Sequence, residues 1–207
     1  MTIQLVLAAL AGYLLGNLQT AVIFSKWKYH DDIRNHGSGN AGSTNMLRVF
    51  GVKSGLVTFT GDFCKGILAV LLGRLIAGEH GAYIAALFAV IGHDFPLFLQ
   101  FKGGKGVAST FAIIWMIQPL YAAIITAAAV ILLLITRTIS PVSIGCATLY
   151  MVLVVVFQWS DTPLIVLSAA LWALIIIRHT DNIKRLLHGE ESKLFEKKKK
   201  KNSDCGG

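Results

Sequence analysis

Charge is what this chain has least of. Only 14% of its 207 residues are charged, against about 25% in an average soluble domain. No Asp, Glu, Lys or Arg occurs in residues 1–25, 80–93, 106–136, 138–160 or 162–177. These gaps exclude an ordinary soluble domain, because crossing a hydrocarbon core of roughly 30 Å takes about 20 apolar residues. Cysteine is nearly as sparse. Cys64, Cys146 and Cys205 have neither metal-ligand spacing nor a disulfide framework. The N-terminus lacks the basic region of a cleavable signal, and its apolar stretch is too long for one. It reads as a retained first span with its N-terminus outside.

What is present, at 55% hydrophobic residues, is an all-α integral membrane protein. Spans are expected at about 2–25, 54–77, 80–99, 106–117, 119–136, 140–158 and 162–178. The run 106–136 would reach about 46 Å as one helix at 1.5 Å per residue. Pro119 near its middle divides it into two short passes. Seven passes put every one of the 19 lysines and arginines except Lys65 and Arg74 on one side. That side is cytoplasmic by the positive-inside rule, so the C-terminus is cytoplasmic too. Residues 1–192 form one membrane-embedded domain, and 193–207, with its lysine run 197–201, reads as a disordered basic tail. The net charge of +8 lies in loops and tail between apolar spans. It indicates membrane topology and membrane lipids rather than nucleic acid.

Three polar segments interrupt the apolar pattern on the cytoplasmic side. The first is IRNHGSGNAGSTNMLR, 33–48. Its glycines, among them Gly39 and Gly42, let backbone approach an anion. A short helix starting near Ser43 would aim free N–H groups at that anion. Ser38, Asn40, Thr44 and Asn45 add neutral donors, and Arg48 adds a charged fork. GSGNAG also fits the dinucleotide pattern G-x-G-x-x-G, but it follows a membrane span where that fingerprint needs a strand. The second segment is GHDFPLFLQFKGGKG, 92–106, where Lys102 and Lys105 flank Gly103 and Gly104, with His93 upstream. It is not a Walker A loop, since no Ser or Thr directly follows Lys105. The third is RHTDNIKRLLHGEE, 178–191, carrying His179, Asn182, Arg185 and Glu191. Asn182 and Arg185 lie one helical turn apart. Ser143, near Pro141 at a helix start, falls on the same side.

A basic, glycine-rich face beside an apolar bundle points to lipid-phosphate chemistry. Asp62 and Lys65, three apart inside a span, read as a structural ion pair. Acyltransferases of the H-x-x-x-x-D type are disfavoured, because none of the six histidines has Asp five residues later. A transporter or flippase for a phosphorylated solute is the alternative. It would place polar groups near the midplane in repeated halves, and no repeat is visible.

The three segments, in this order and spacing, resemble the signature motifs of the bacterial acyl-phosphate:glycerol-3-phosphate acyltransferase (PlsY) family across nearly the whole chain. The resemblance implies seven spans in the cytoplasmic membrane. It also implies transfer of an acyl group from acyl phosphate to the 1-hydroxyl of sn-glycerol 3-phosphate, an early step of phospholipid synthesis. The products would be lysophosphatidate and phosphate, with no cofactor or metal. It casts Ser38, Arg48, Lys105, His179 and Asn182 as the binding and catalytic set. Gly42, Thr44 and Ser143 become neutral donors near the phosphate or oxyanion, and Glu191 orients basic partners. The family's site offers no compelling protein base. The substrate's own phosphate is expected to take the hydroxyl proton, although His93 and His179 are chemically able to do so.

Overall fold

The computed structural model describes residues 2–194, so Cys205 and the expected tail from 195 onward lie outside the described residues. Those described form helices α1 (Thr2–Asn17), α2 (Thr20–Tyr29), α3 (Ser43–Phe50), α4 (Val52–Asp94), α5 (Val107–Ile117), α6 (Pro119–Thr136), α7 (Ile139–Phe157), α8 (Thr162–Arg178) and α9 (Thr180–Leu187). Single 3-10 turns occur at Ile33–Asn35 and Leu97–Leu99. The described residues contain helices and no strand, and the chain is a multi-pass membrane protein. Thr2–Tyr29, Val52–Leu99, Pro119–Thr136 and Ile139–Phe157 are each long and apolar enough to cross a bilayer. The pair α8 and α9, bent by 59°, adds a fifth such stretch if taken together.

Three helix boundaries follow from local chemistry. The α3 helix starts at Ser43 behind the N-cap Gly42, as expected. The 106–136 run breaks at Gln118, where Pro119 cannot donate to the preceding turn. The α4 helix is two antiparallel arms joined at Ala77 and Gly78. Gly78 takes φ 63°, ψ −152°, a combination that only glycine adopts freely.

The first span departs from expectation. It is not one helix over 2–25 but breaks at Asn17–Gln19, between α1 and α2. Carbonyls freed at such a break need partners in a membrane, and buried side chains supply them. Lys65 Nζ donates to Leu18 O at 2.8 Å and Gly16 O at 3.3 Å. Gln19 Nε2 donates to Gly16 O at 3.2 Å and His93 O at 2.9 Å. Above the break, α1 lies backbone-to-backbone on the second arm of α4. A Cβ on Gly12 would stand 2.2 Å from Ala85 O, and one on Gly16 2.2 Å from Ala89 O. Small residues at these positions permit that approach.

The main apolar core joins the second arm of α4 to α5, α6, α7 and α8 through Val90, Ile113, Ile125, Tyr150 and Leu171. At one end of the bundle Tyr83 donates to Asp161 and Gln158 to Tyr121. The other end gathers the polar segments 30–51, 95–106, 137–143 and 178–194 around one cavity.

Candidate active site

The first polar segment is shaped by Asn45. This residue is 1% exposed. Its Nδ2 donates to His36 O and Asn40 O at 3.0 Å and to Ile33 O at 3.3 Å, while its Oδ1 accepts from Ser38 N at 3.0 Å. Asn45 was expected to donate to a bound anion. Its amide is instead spent inside the loop, because Gly37 (φ 61°) and Gly39 (φ 71°) turn the backbone around it. A Cβ on Gly37 would fall 2.3 Å from Asn45 Oδ1. The loop is anchored outward by Arg34, which chelates Asp32 at 2.7 and 3.0 Å and reaches Leu99 O at 3.3 Å. Hydrogen bonding to Arg34 holds the Asp32 carboxyl down at about 2.

The second segment folds against the end of α4. Gly104 N donates to His93 O at 3.0 Å. Arg178 donates through Nε and Nη2 to Gly104 O at 3.0 and 2.8 Å, and its guanidinium lies 5.2 Å from the Phe95 ring centroid. No side chain fits at either glycine. A Cβ on Gly103 would lie 2.0 Å from His93 O, and one on Gly104 2.0 Å from His93 Nε2. Gln100 and Phe101 both take positive φ, so the chain is tightly wound before Lys102.

The third segment is organised by Glu191, whose side chain is 7% exposed. It accepts from Ser140 Oγ and Asn182 Nδ2 at 2.5 Å each, and from Arg185 Nε at 2.7 Å. Burial alone would raise its carboxyl, but these hydrogen bonds together outweigh it and hold the group below the ordinary glutamate range. Asn182 in turn accepts from Lys105 Nζ. Burial lowers the Lys105 ammonium to about 8, with the Glu191 charge opposing that shift. Asn182 and Arg185 share a face as expected, and what they meet there is Glu191. Leu194 N donates to Arg137 O at 2.8 Å and ties the segment across the α6–α7 turn. His179 Nδ1 lies 2.8 Å from Ile175 O. A carbonyl only accepts, so that nitrogen carries the proton and Nε2 keeps a lone pair.

These segments enclose a cavity of about 1050 Å³. Of the residues singled out from sequence, Ser38, Gly39, Asn40, Gly42, Thr44, Asn45, Arg48, His93, Lys102, Gly103, Lys105, Ser143, His179, Asn182, Arg185 and Glu191 all line it. Gly104 does not; it forms the bend behind the lining. Arg48 has no hydrogen bond or ion pair among the described residues, so its guanidinium is available to an anion. One wall is apolar, built from Phe111, Ile114, Ile125, Ala129, Cys146 and Ala147.

Sequence reasoning passed over Arg178, Ser140 and Arg34, which also line the cavity. Each adjoins a residue that was chosen or sits within a chosen segment. None announces its role, because each bonds to backbone or to another side chain distant in sequence. Asp62 and Lys65 are paired as expected, at 2.8 Å, and the pair is buried.

Comparison with known proteins agrees with this geometry. The family described as glycerol-3-phosphate acyltransferase matches residues 6–189. A glycerol-3-phosphate acyltransferase of Thermoanaerobacter sp. (strain X514) is 43% identical over 93% of this chain and 96% of its own length. One from Clostridioides difficile (strain 630) is 38% identical over 93% and 97%. Among solved structures, the glycerol 3-phosphate form of PlsY, an integral membrane glycerol 3-phosphate acyltransferase, superposes with a TM-score of 0.86. It is 32% identical and covers 91% of this chain and 94% of that one. The lysophosphatidic acid form of PlsY gives a TM-score of 0.82 at 30% identity.

Proposed function

Because the chain belongs to the glycerol-3-phosphate acyltransferase family, we propose that it transfers an acyl group from acyl phosphate to the 1-hydroxyl of sn-glycerol 3-phosphate. The observation that carries this reading is the shared cavity. Cationic and glycine-rich loops line it together with an apolar wall from α5, α6 and α7, a combination suited to an activated lipid phosphate beside a small phosphate ester.

In the reaction, the substrate hydroxyl oxygen attacks the acyl carbonyl carbon and a tetrahedral oxyanion forms. The bond from that carbon to the phosphate oxygen then breaks, giving 1-acyl-glycerol 3-phosphate and inorganic phosphate. The donor is already activated, so the protein contributes mainly orientation and charge stabilisation. Ser38, Arg48 and Lys105 hold the two phosphates. The Asn182 amide, already taken up by Lys105, Ser140 and Glu191, positions Lys105. The bare Nε2 of His179 accepts from a substrate hydroxyl instead of meeting a phosphate. The free N–H groups at the start of α3, with Thr44 and Ser143, supply neutral hydrogen bonds. Glu191 holds Asn182 and Arg185 in place and keeps Lys105 charged. The hydroxyl proton passes to the phosphate of the substrate itself. Of the two histidines in the cavity, His179 is the one whose free lone pair makes it a rival base. Loss of turnover with unchanged substrate binding in His179→Ala would defeat the substrate-assisted step.

The topology that suits this reading has seven passes, with α5 and α6 as the short pair, the N-terminus outside and the cavity facing the cytoplasm. It keeps the basic loops on the cytoplasmic side of the cell membrane. The test of function is direct. Detergent-purified protein given acyl phosphate and glycerol 3-phosphate releases phosphate and forms lysophosphatidate, with no second compartment. No release across several donor chain lengths would return the reading to solute transport.

A further inference from the structure

The buried pair Asp62–Lys65 has a third member. Lys65 Nζ stands 2.7 Å from His93 Nδ1, 2.8 Å from Asp62 Oδ1 and 2.8 Å from Leu18 O. Asp62 Oδ1 also accepts from Thr20 Oγ1 at 3.0 Å. An ammonium has three N–H donors and accepts nothing. The Asp62 carboxylate and the carbonyls of Leu18 and, at a longer 3.3 Å, Gly16 only accept, and the Gly16 contact shares a donor with them. The ring contact is the shortest of the four at 2.7 Å, and since an ammonium accepts nothing, His93 Nδ1 is the acceptor there. In a neutral imidazole that arrangement places the proton on Nε2.

The position of Nε2 gives this tautomer a purpose. It sits against Gly104 so closely that a Cβ there would lie 2.0 Å away. His93 lines the cavity, although the residue is only 3% exposed. Its Nε2 has no hydrogen-bond partner among the described residues. A buried pair of charges thus holds one ring so that a neutral donor waits unpaired beneath the Lys102–Lys105 loop.

We propose that His93 is a hydrogen-bond donor, through Nε2–H, to a negatively charged oxygen of the acyl donor, and that Lys65 and Asp62 are the positioning residues that set its tautomer. It is not a base, because the nitrogen facing the cavity has no lone pair to offer. This assignment rests on the acyl-transfer reading and gives the intramembrane charges a task within it. The oxygen is either a phosphate oxygen of the bound donor or the carbonyl oxygen that becomes the oxyanion, and kinetics separates the two.

The experiment measures phosphate release by full-length protein in detergent, with acyl phosphate and glycerol 3-phosphate varied separately. His93→Ala loses on the order of 10²-fold in activity, the scale of one removed oxyanion donor. The loss falls in kcat if the oxygen is the oxyanion and in the KM for acyl phosphate if it is a ground-state phosphate. His93→Gln, which keeps an N–H but transfers no proton, recovers most of it. Lys65→Met lowers activity in the wild-type background and adds little to His93→Ala, because it acts through the ring. Nitrogen NMR of labelled histidine in the resting protein shows Nε2 protonated and Nδ1 bare, whether or not any variant folds. The proposal is overturned by a ring protonated on Nδ1, by His93→Gln as inactive as His93→Ala, or by His93→Ala with unchanged kinetics. A wild-type protein that releases no phosphate would overturn the activity itself and leave the tautomer result standing.

Discussion

Arg178 grips the carbonyl oxygen of Gly104 with two nitrogens, Nε at 3.0 Å and Nη2 at 2.8 Å. A loop that receives anions must turn its carbonyl oxygens away, and a trans peptide that points its C=O one way points its N–H the other. The grip therefore aims the Lys105 amide away from Arg178. Replacing Arg178 with Gln frees the carbonyl, and activity is expected to fall on the order of 10²-fold. The KM for acyl phosphate should rise more than that for glycerol 3-phosphate. Lysine lacks the planar fork and should recover only a fraction. Equal effects of the two substitutions on both KM values would show that Arg178 does no more than stabilise the fold.

Lys105 makes the enzyme sensitive to mildly alkaline pH. Burial lowers its ammonium to about 8, so its charge is present at neutral pH and lost above. Binding of anionic substrate should weaken as pH rises through 8, giving a basic limb in kcat/KM. Lys105→Arg, which stays charged, should move that limb upward while lowering turnover. Folding runs in the opposite direction. The unfolded chain holds this proton up to about 10.4, so between 8 and 10.4 it binds more protons than the folded chain. Lys105 therefore contributes a stability that rises with pH across that window. Activity and thermal unfolding followed over the same pH series should diverge.

Glu191 should tune that limb. Its charge opposes the lowering of Lys105, and it holds Ser140, Asn182 and Arg185. Glu191→Gln keeps the size and removes the charge. The basic limb should shift to lower pH, and kcat/KM at pH 7 should fall by roughly tenfold or more, the scale of one charged hydrogen bond. An unmoved limb would mean that Glu191 acts on Asn182 alone.

Much of this was legible in the sequence because membranes leave few choices. Uncharged runs marked the helices. Pro119 marked the break between α5 and α6, and Ser43 marked the start of α3. The break at Asn17–Gln19 was not legible. No charged residue lies between 2 and 25, so the run reads as one span although Asn17, Gln19 and Thr20 stand at the break. What satisfies the freed carbonyls there is chiefly Lys65, which lies in α4. The same limit hid Arg178 and reversed the reading of Asn45. A hydrogen-bond donor in a glycine-rich segment looks the same in sequence whether it meets a ligand or its own backbone.

Asn45 shows the cost of that second role. Asn45→Ala leaves Ser38 N and the carbonyls of Ile33, His36 and Asn40 without their partner. Buried groups so abandoned cost about 1–3 kcal/mol each, with water offsetting those near the surface. A destabilisation on the order of 2 kcal/mol is expected in thermal unfolding, together with weaker binding of glycerol 3-phosphate as the loop loosens. Asn45→Asp should be at least as damaging, since a carboxylate turns acceptors toward three carbonyls. A variant with wild-type stability would show that the turns at Gly37 and Gly39 hold the loop without the amide.

The apolar wall between α5, α6 and α7 should set how long an acyl chain the cavity accepts. Ala129, half-buried, and Ala147 and Cys146 line it where α6 and α7 face each other. A ring placed at 129 takes up room that the distal methylenes of a long donor would fill. Each methylene denied burial costs about 0.8 kcal/mol, and about 1.4 kcal/mol is tenfold in rate, so two displaced methylenes suffice for roughly tenfold. Ala129→Phe should therefore lower kcat/KM for long-chain acyl phosphates and leave short ones near wild type. The KM for glycerol 3-phosphate should stay constant, since the polar loops are untouched. A uniform loss across all chain lengths would move the acyl chain to another wall of the cavity.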